Sequence, residues 1–152
     1  MSKYRYSFVT NSSSSSFIVG FTSKDELDNF KDTFPKWLRE NLIEKVNADV
    51  RDNIITKEQA IVMYEEYALD EWYYTYKGKR YYELTKKEIE SKEYQEFLDN
   101  AREEDIQSFL KEIESIQIFA EVSYADDDAV GSCLEHEVVP YLPNTIIRFS
   151  HH

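Results

Sequence analysis

The sequence predicts an α+β fold in which a small mixed β-sheet, formed by the N- and C-terminal segments, is covered by a helical middle at about residues 23–115. Three observations predict it: short runs of β-branched and aromatic residues stand near both ends, three helix-start signatures mark the middle, and apolar residues recur there at helical spacing. The 152 residues fit a single domain, 1–152, long enough to bury a core without a disulfide or a metal.

The predicted strands are short segments in which apolar and polar residues partly alternate. They lie at residues 17–21, 117–124 and 145–149, and a further strand is expected at 4–9. Since the two chain ends pair in one sheet, both are parts of the fold, whereas termini are usually dispensable tails.

Three capping boxes predict where helices begin, because a hydroxyl can accept from the backbone N–H three residues later while that residue's side chain reaches back. They pair Ser23 with Glu26, Thr56 with Gln59, and Thr85 with Glu88. Pro35 suits a restart of the first helix, because its missing N–H would be unpaired in a first turn. In the acidic stretch 85–115, Asn100 with Glu103 predicts a break between two helices.

The stretch 72–82 fits two structures. It can be the end of a helix capped by Gly78, which is the favoured interpretation, or a hairpin that turns at Lys77 and Gly78. Eight of the 19 residues from Tyr64 to Tyr82 are Tyr or Trp. Core packing accounts for most of these rings, and a protein-binding face formed by Trp72, Tyr73 and Tyr76 accounts for the rest.

The charge balance bears on the class of partner. Eighteen Lys and Arg stand against 30 Asp and Glu, a formal charge of −12, and no basic stripe offsets it. Direct nucleic-acid binding is therefore not expected. No apolar run approaches the length of a membrane span, and the single Cys133 excludes an intramolecular disulfide. A cytoplasmic protein without membrane association is the expectation.

A run of five serines, residues 12–16, stands between the apolar pairs 8–9 and 17–18. It suits a flexible linker, a loop that presents hydroxyls and amides to an anion, or a phosphate acceptor.

The string from Arg5 to Val19 resembles an N-terminal motif of small uncharacterised proteins of bacteria and their phages. The resemblance covers about 15 residues of the chain and implies a bacterial or phage origin, with the host cytoplasm as location, but no mechanism.

The last third of the chain holds all three histidines, close to the acidic triplet 126–128. Carboxylate and imidazole are ligands of zinc, manganese and iron and are also the usual acid–base pair. The spacing matches no strong metal motif, so a turn remains the simpler explanation of the triplet. The metal candidates are Asp126, Asp128, His136 and His151, and no other cofactor is evident.

Topology predicts that three polar segments meet. If the strands at 117–124 and 145–150 run in the same direction, and 17–21 is antiparallel to the last, then their ends share one edge of the sheet. The candidate polar site there comprises seven residues. They are Ser15, Ser16, Asp126, Asp128, Glu135, His136 and His151.

Two functions of different class follow from these features. The first is a small acidic protein that binds another protein, as an accessory or host-interaction factor of bacterial or phage origin. The alternative is a metal-dependent enzyme of hydrolase type that uses the Asp and His residues of the C-terminal third. The sequence identifies no catalytic residue and defines neither the partner nor the oligomeric state.

Overall fold

The computed structural model describes residues 14–151, with side chains described for residues 14–149. The predicted strand at 4–9, serines 12 and 13, His152 and the side chain of His151 lie outside this range. The chain divides into two compact units, unit 1 (Met1–Ala60 and Ser115–His152) and unit 2 (Ile61–Glu114). Unit 2 is thus an insertion within the sequence of unit 1.

The described residues confirm the α+β class. The strands are β1 (Ser14–Phe21), β2 (Ile54–Ile55), β3 (Thr75–Tyr76), β4 (Lys79–Arg80), β5 (Ile118–Ala125) and β6 (Thr145–His151). The α-helices are α1 (Lys24–Asn29), α2 (Lys36–Leu38), α3 (Glu44–Asp52), α4 (Lys57–Ala68), α5 (Lys86–Ile89), α6 (Lys92–Glu112) and α7 (Ala129–Cys133).

The main sheet belongs to unit 1 and has the strand order β2-β5-β1-β6. β1 is antiparallel to both β5 and β6, and β2 is antiparallel to β5. The prediction that the two chain ends share a sheet is therefore confirmed. The sheet is antiparallel throughout its described pairs, however, and not mixed, because β1 inserts between the two C-terminal strands, which run in the same direction without pairing.

One face of β1 forms the centre of the unit 1 core. Phe17, Val19 and Phe21 alternate along the strand and are at most 1% exposed, as the period of two requires. They pack with Val122 of β5 and with Val46 of α3. The part of the helical middle at residues 24–52 therefore covers this face of the sheet.

The helix starts follow the predicted caps. The backbone N–H of Glu26 donates to the Ser23 hydroxyl at 3.1 Å, and Thr56 and Gln59 form both bonds of the capping box, at 2.8 and 3.0 Å. Pro35 stands immediately before α2, which continues through a π-helical turn (Arg39–Ile43) into α3. These local signals were sufficient to place the helix starts.

The connection between β5 and β6 is helical, which the sequence did not predict. α7 continues into a π-helical turn (Leu134–Val138) and a 3₁₀ turn (Val139–Tyr141). The Asp128 carboxylate caps α7 by accepting from the Gly131 N–H at 2.6 Å. A Cβ on Gly131 would overlap the carbonyl oxygen of Ala125. The start of this helix is therefore held directly against the end of β5.

Unit 2 corrects two predictions. The stretch 72–82 is not the end of a helix: β3 and β4 form a hairpin that turns at Lys77 (φ 49°) and Gly78 (φ 78°). Two consecutive positive φ values are those of a type I′ turn, which matches the twist of the strands. Helix α6 runs unbroken through Asn100, and the break predicted there lies instead at Ser91, whose hydroxyl accepts from the Tyr94 N–H at 3.2 Å.

The core of unit 2 is built largely from rings. Tyr76, Tyr94 and Leu98 are buried, and Phe97 packs against them. The Tyr76 ring meets Tyr94 nearly edge-on, with centroids 5.2 Å apart. Tyr64 stacks on Phe109 at 4.1 Å.

None of the helices at residues 14–151 combines the length and the apolar character needed to cross a bilayer.

Candidate functional site

The predicted convergence of polar segments at one edge of the sheet is confirmed in its backbone geometry. Ser14 of β1 lies opposite both Ala125 of β5 and His151 of β6. The start of β1 and the ends of β5 and β6 therefore lie at the same edge of the sheet, and Asp126 directly follows β5 there. Five side chains meet here, and we call them the polar cluster: Ser15, Asp126, Glu135, His136 and Arg148.

Glu135 is the centre of the polar cluster. It stands in the π-helical turn 134–138 and is completely buried, as is Ser15. The Ser15 hydroxyl donates to Glu135 Oε1 at 3.0 Å and accepts from Arg148 Nε at 3.2 Å. The guanidinium also approaches Glu135 Oε1, at 3.9 Å from Nη2. A buried carboxylate is expensive to desolvate unless charges and hydrogen bonds compensate it, and these contacts do so on one oxygen.

The other carboxylate oxygen of Glu135 faces an imidazole. His136 Nε2 lies 3.5 Å from Glu135 Oε2 and 3.8 Å from Asp126 Oδ2. About a third of each of the His136 and Asp126 side chains remains exposed, 38% and 31%. The cluster is therefore closed towards the core at Glu135 and Ser15 and open to solvent at His136 and Asp126.

Three of the predicted polar residues do not join the cluster with their side chains. Ser16 points to the opposite face of β1, as alternation requires, and its hydroxyl lies 2.7 Å from that of Ser123. The Asp128 carboxylate is occupied as the cap of α7. The backbone of His151 lies at the shared edge, but its side chain is outside the described residues. Ser15, Asp126, Glu135 and His136 do come together.

Arg148 is the member of the polar cluster that was not predicted. Its guanidinium also lies 5.7 Å from the centre of the Phe17 ring, within the range of a cation–π contact. A signal for it exists: Arg148 is the only basic residue of the acidic segment 117–152. A lone cation in an otherwise apolar strand usually has a buried or half-buried acidic partner.

Exposed rings form a second candidate site, in unit 2. Trp72 is 59%, Tyr73 48% and Tyr82 62% exposed, and we call these three residues the ring surface. The Trp72 ring lies 5.7 Å from the Tyr82 ring and 5.8 Å from the Tyr81 ring, between centroids. Tyr76, predicted as a third member of a binding face, is buried in the unit 2 core instead.

The ring surface is held in place by local contacts. The Asp70 carboxylate accepts from the Trp72 N–H at 3.1 Å and caps the 3₁₀ turn Glu71–Tyr73. Burial, and then the nearby Asp70 carboxylate, raise the pKa of Tyr73 above its ordinary value. The Tyr73 ring also lies 4.4 Å from the Tyr67 ring, between centroids, and this contact fixes its orientation.

A cleft of about 590 Å³ in unit 1 is lined by residues of β2, β5 and the end of α3. Two of its charged groups are paired with each other: Lys45 lies 3.2 Å from Asp49, which also accepts from the Tyr124 hydroxyl at 2.8 Å. The cleft contains none of the sequence-predicted site residues.

Comparisons with protein-family models, with curated proteins and with solved structures find no match to this chain. The function is therefore argued from the geometry of the two sites.

Proposed function

We propose that this protein acts by binding another protein through the ring surface, as an accessory or host-interaction factor. The observation that carries the proposal is a pair of neighbouring aromatic rings, Trp72 and Tyr82, each more than half exposed. Trp and Tyr are the residue types that most often anchor protein interfaces, because they bury a large area and lose little conformational freedom.

The ring surface is already ordered before a partner arrives. Trp72 packs against Tyr81, which itself packs on the unit 2 core, and the capped 3₁₀ turn fixes the backbone beneath it. A partner would not have to immobilise these side chains. Pre-organisation of this kind reduces the entropic cost of association.

Charge defines the kind of partner. Unit 2 contains 15 acidic and 8 basic residues, a net charge of −7, and Asp70, Glu71 and Glu83 stand next to the rings in sequence. A partner with a basic rim around an apolar pocket would be attracted and oriented by this charge. Stacking of nucleic-acid bases needs a basic groove beside the rings, so a protein partner is the better fit.

The test compares two tryptophans of similar exposure. Trp37 lies in unit 1 and is 66% exposed, so Trp37→Ala is the matched control for a Trp72→Ala, Tyr82→Ala double variant. The full chain and both variants are used to capture partners from extracts of cells that carry the gene. A partner identified by mass spectrometry is then purified and titrated against all three proteins.

The expected result is a purified partner that binds the wild type and Trp37→Ala equally. It should bind the double variant at least about 30-fold more weakly, since truncating interface anchors costs about 2 kcal/mol or more. Affinity should also fall as salt is raised, because the partner is attracted by charge. The proposal would be contradicted if both variants lost binding equally, or if the double variant bound the partner as tightly as the wild type.

A further inference from the structure

The donor atoms in the polar cluster have the spacing of metal ligands. One ligand atom from each of Asp126, Glu135 and His136 lies within 4.8 Å of the other two. The imidazole Nε2 is 3.5 Å from the Glu135 oxygen and 3.8 Å from the Asp126 oxygen. A zinc ion with bonds of about 2.0–2.2 Å holds its ligands roughly 3.3–3.6 Å apart in a tetrahedron. Only small movements separate the two arrangements.

We propose that Asp126, Glu135 and His136 bind one divalent transition-metal ion, with Zn²⁺ as the best fit. Two carboxylate oxygens and one imidazole nitrogen suit zinc, and also manganese or iron. Three protein ligands leave one position open for water, which is the pattern of zinc sites that are not purely structural. The exposed sides of Asp126 and His136 give an ion its route from solvent.

The oxygen of Glu135 that would bind the ion is oriented by contacts to the other oxygen. Ser15 donates to Oε1 and Arg148 approaches the same atom, which leaves Oε2 turned towards His136. Outer contacts of this type fix the direction of a ligand and typically change metal affinity by 10- to 100-fold. Ser15 is therefore a positioning residue, which links the serine run of the N-terminus to a site in the last third of the chain.

Charge at the cluster favours a cation. Two carboxylates meet one imidazole there, and Arg148 supplies a single positive charge to one of them. A divalent ion would compensate the remaining negative charge without requiring a protonated imidazole. In the competing arrangement, Asp126, Glu135 and His136 contact only one another and no metal binds.

The experiment is a calorimetric titration of chelator-treated, full-length protein with Zn²⁺. The ring surface is not involved, so the outcome is independent of partner binding. Because His151 and His152 could bind zinc by themselves, all measurements are made in the wild type and in a His151→Ala, His152→Ala background. A Co²⁺ titration followed by visible absorption reports whether the ion is four-coordinate.

The expected result is one zinc ion per chain in both backgrounds, with the melting temperature raised by the ion. His136→Gln or Asp126→Asn should weaken binding at least about 100-fold, and Ser15→Ala about 10-fold. Asp127→Asn, an exposed neighbour outside the cluster, is the matched control and should bind as the wild type does. Asp126 is partly exposed, so its variant is expected to fold, and circular dichroism checks this.

Three results would each overturn the proposal. The first is no saturable Zn²⁺ or Co²⁺ binding at millimolar concentration, which would show that the three side chains contact one another without an ion. The second is binding that disappears in the His151→Ala, His152→Ala background, which would assign the ion to the chain terminus. The third is equal affinity in the wild type, His136→Gln and Asp126→Asn.

Discussion

The two units use aromatic residues in opposite ways. In unit 1 the buried rings are mainly phenylalanines such as Phe17, Phe21 and Phe119, and the buried polar residues Ser15 and Glu135 belong to the polar cluster. In unit 2 the rings are mainly tyrosines, and several stand at the surface. Phenylalanine has no hydroxyl to satisfy and suits a dry core, whereas tyrosine and tryptophan tolerate one wet end. The comparison teaches that aromatic content alone does not distinguish a core from a binding surface.

The largest expected effect contrasts a core ring with a surface ring. Phe17→Ala removes a fully buried side chain from the central strand of unit 1 and should lower the free energy of unfolding by about 3–5 kcal/mol. Trp72→Ala should change it by less than about 0.5 kcal/mol, because the ring is exposed. Urea denaturation measures both. A Trp72→Ala cost as large as that of Phe17→Ala would show that the ring surface belongs to a core.

Glycine substitutions compare the backbone requirements of the two units. Gly131→Ala in unit 1 should cost about 1–3 kcal/mol, because its Cβ would overlap the carbonyl oxygen of Ala125. Gly78→Ala in unit 2 meets no neighbouring atom but needs φ +78°, which costs about 1–2 kcal/mol.

Substitution by asparagine distinguishes the atomic overlap at Gly131 from the backbone strain at Gly78. Gly78→Asn should restore most of the loss, since Asn tolerates positive φ, whereas Gly131→Asn should be at least as destabilising as Gly131→Ala. Thermal unfolding of the four variants measures the difference. Rescue at Gly131, or no rescue at Gly78, would contradict these assignments.

Tyr124 is a tyrosine in the phenylalanine-rich unit, and it has a charged partner. Its hydroxyl donates to Asp49 at 2.8 Å, and burial, followed by this hydrogen bond, raises its pKa. Tyr124→Phe should cost about 1.5 kcal/mol, as expected for a hydrogen bond to a charged group. Tyr141→Phe is the control, because Tyr141 is 77% exposed and should change nothing. Equal melting temperatures for both variants would show that the Asp49 contact contributes no stability.

The smallest expected effect is a pH dependence. The Thr22 hydroxyl and N–H donate to Glu26, each at 2.6 Å, and hold the pKa of that carboxyl below its usual value of 4.5. The unfolded chain binds this proton at higher pH than the folded one. The contribution of Glu26 to the free energy of unfolding is therefore fully present above its unfolded pKa of 4.5. It is lost as the pH falls through the lower pKa of the folded state.

Glu26→Gln should accordingly flatten the decline of stability below about pH 4.5. In unit 2 the pKa of Glu93 is also lowered, by Lys77, but this pair is exposed. Glu93→Gln should have a smaller effect that disappears at high salt. Denaturant titrations between pH 3 and 7 at two salt concentrations make the comparison. A slope unchanged by Glu26→Gln would mean that the Thr22 contacts do not stabilise the folded state.

Sequence patterns predicted what depends on neighbours in the chain. The capping boxes at Ser23 and Thr56 and three of the four strands of the main sheet lie where the patterns placed them, whereas the two-residue strand β2 was not predicted. The break at Ser91 was missed because its N3 residue is Tyr94, which leaves out the acidic half of the capping signature. Asn100 instead sits exposed within α6, where its poor helix propensity costs little.

The candidate sites needed information that lies far apart in the chain. Topology alone predicted that Ser15 and Asp126 would lie at one edge of the sheet, because both stand at strand ends. Ser15 contacts Glu135 and Ser16 contacts Ser123. These contacts depend on which face of β1 packs against the core. Arg148 is the only Lys or Arg of segment 117–152, but its contact with Glu135 depends on how β6 packs beside the turn 134–138, which the local sequence does not show. The exposure of Trp72 and the burial of Tyr76 likewise depend on packing within unit 2.

The central position of β1 has a consequence for synthesis on the ribosome. The contact between Ser15 and Glu135 spans 120 positions, and both strands that flank β1 are made after unit 2. At 5–20 residues per second, the chain between Phe17 and its partner Val122 of β5 takes roughly 5–21 s to be made. Unit 2 can form during this interval, while the main sheet can close only after β5 and β6 have been made. Nascent chains arrested before β5 would therefore carry an unpaired hydrophobic strand that chaperones can recognise.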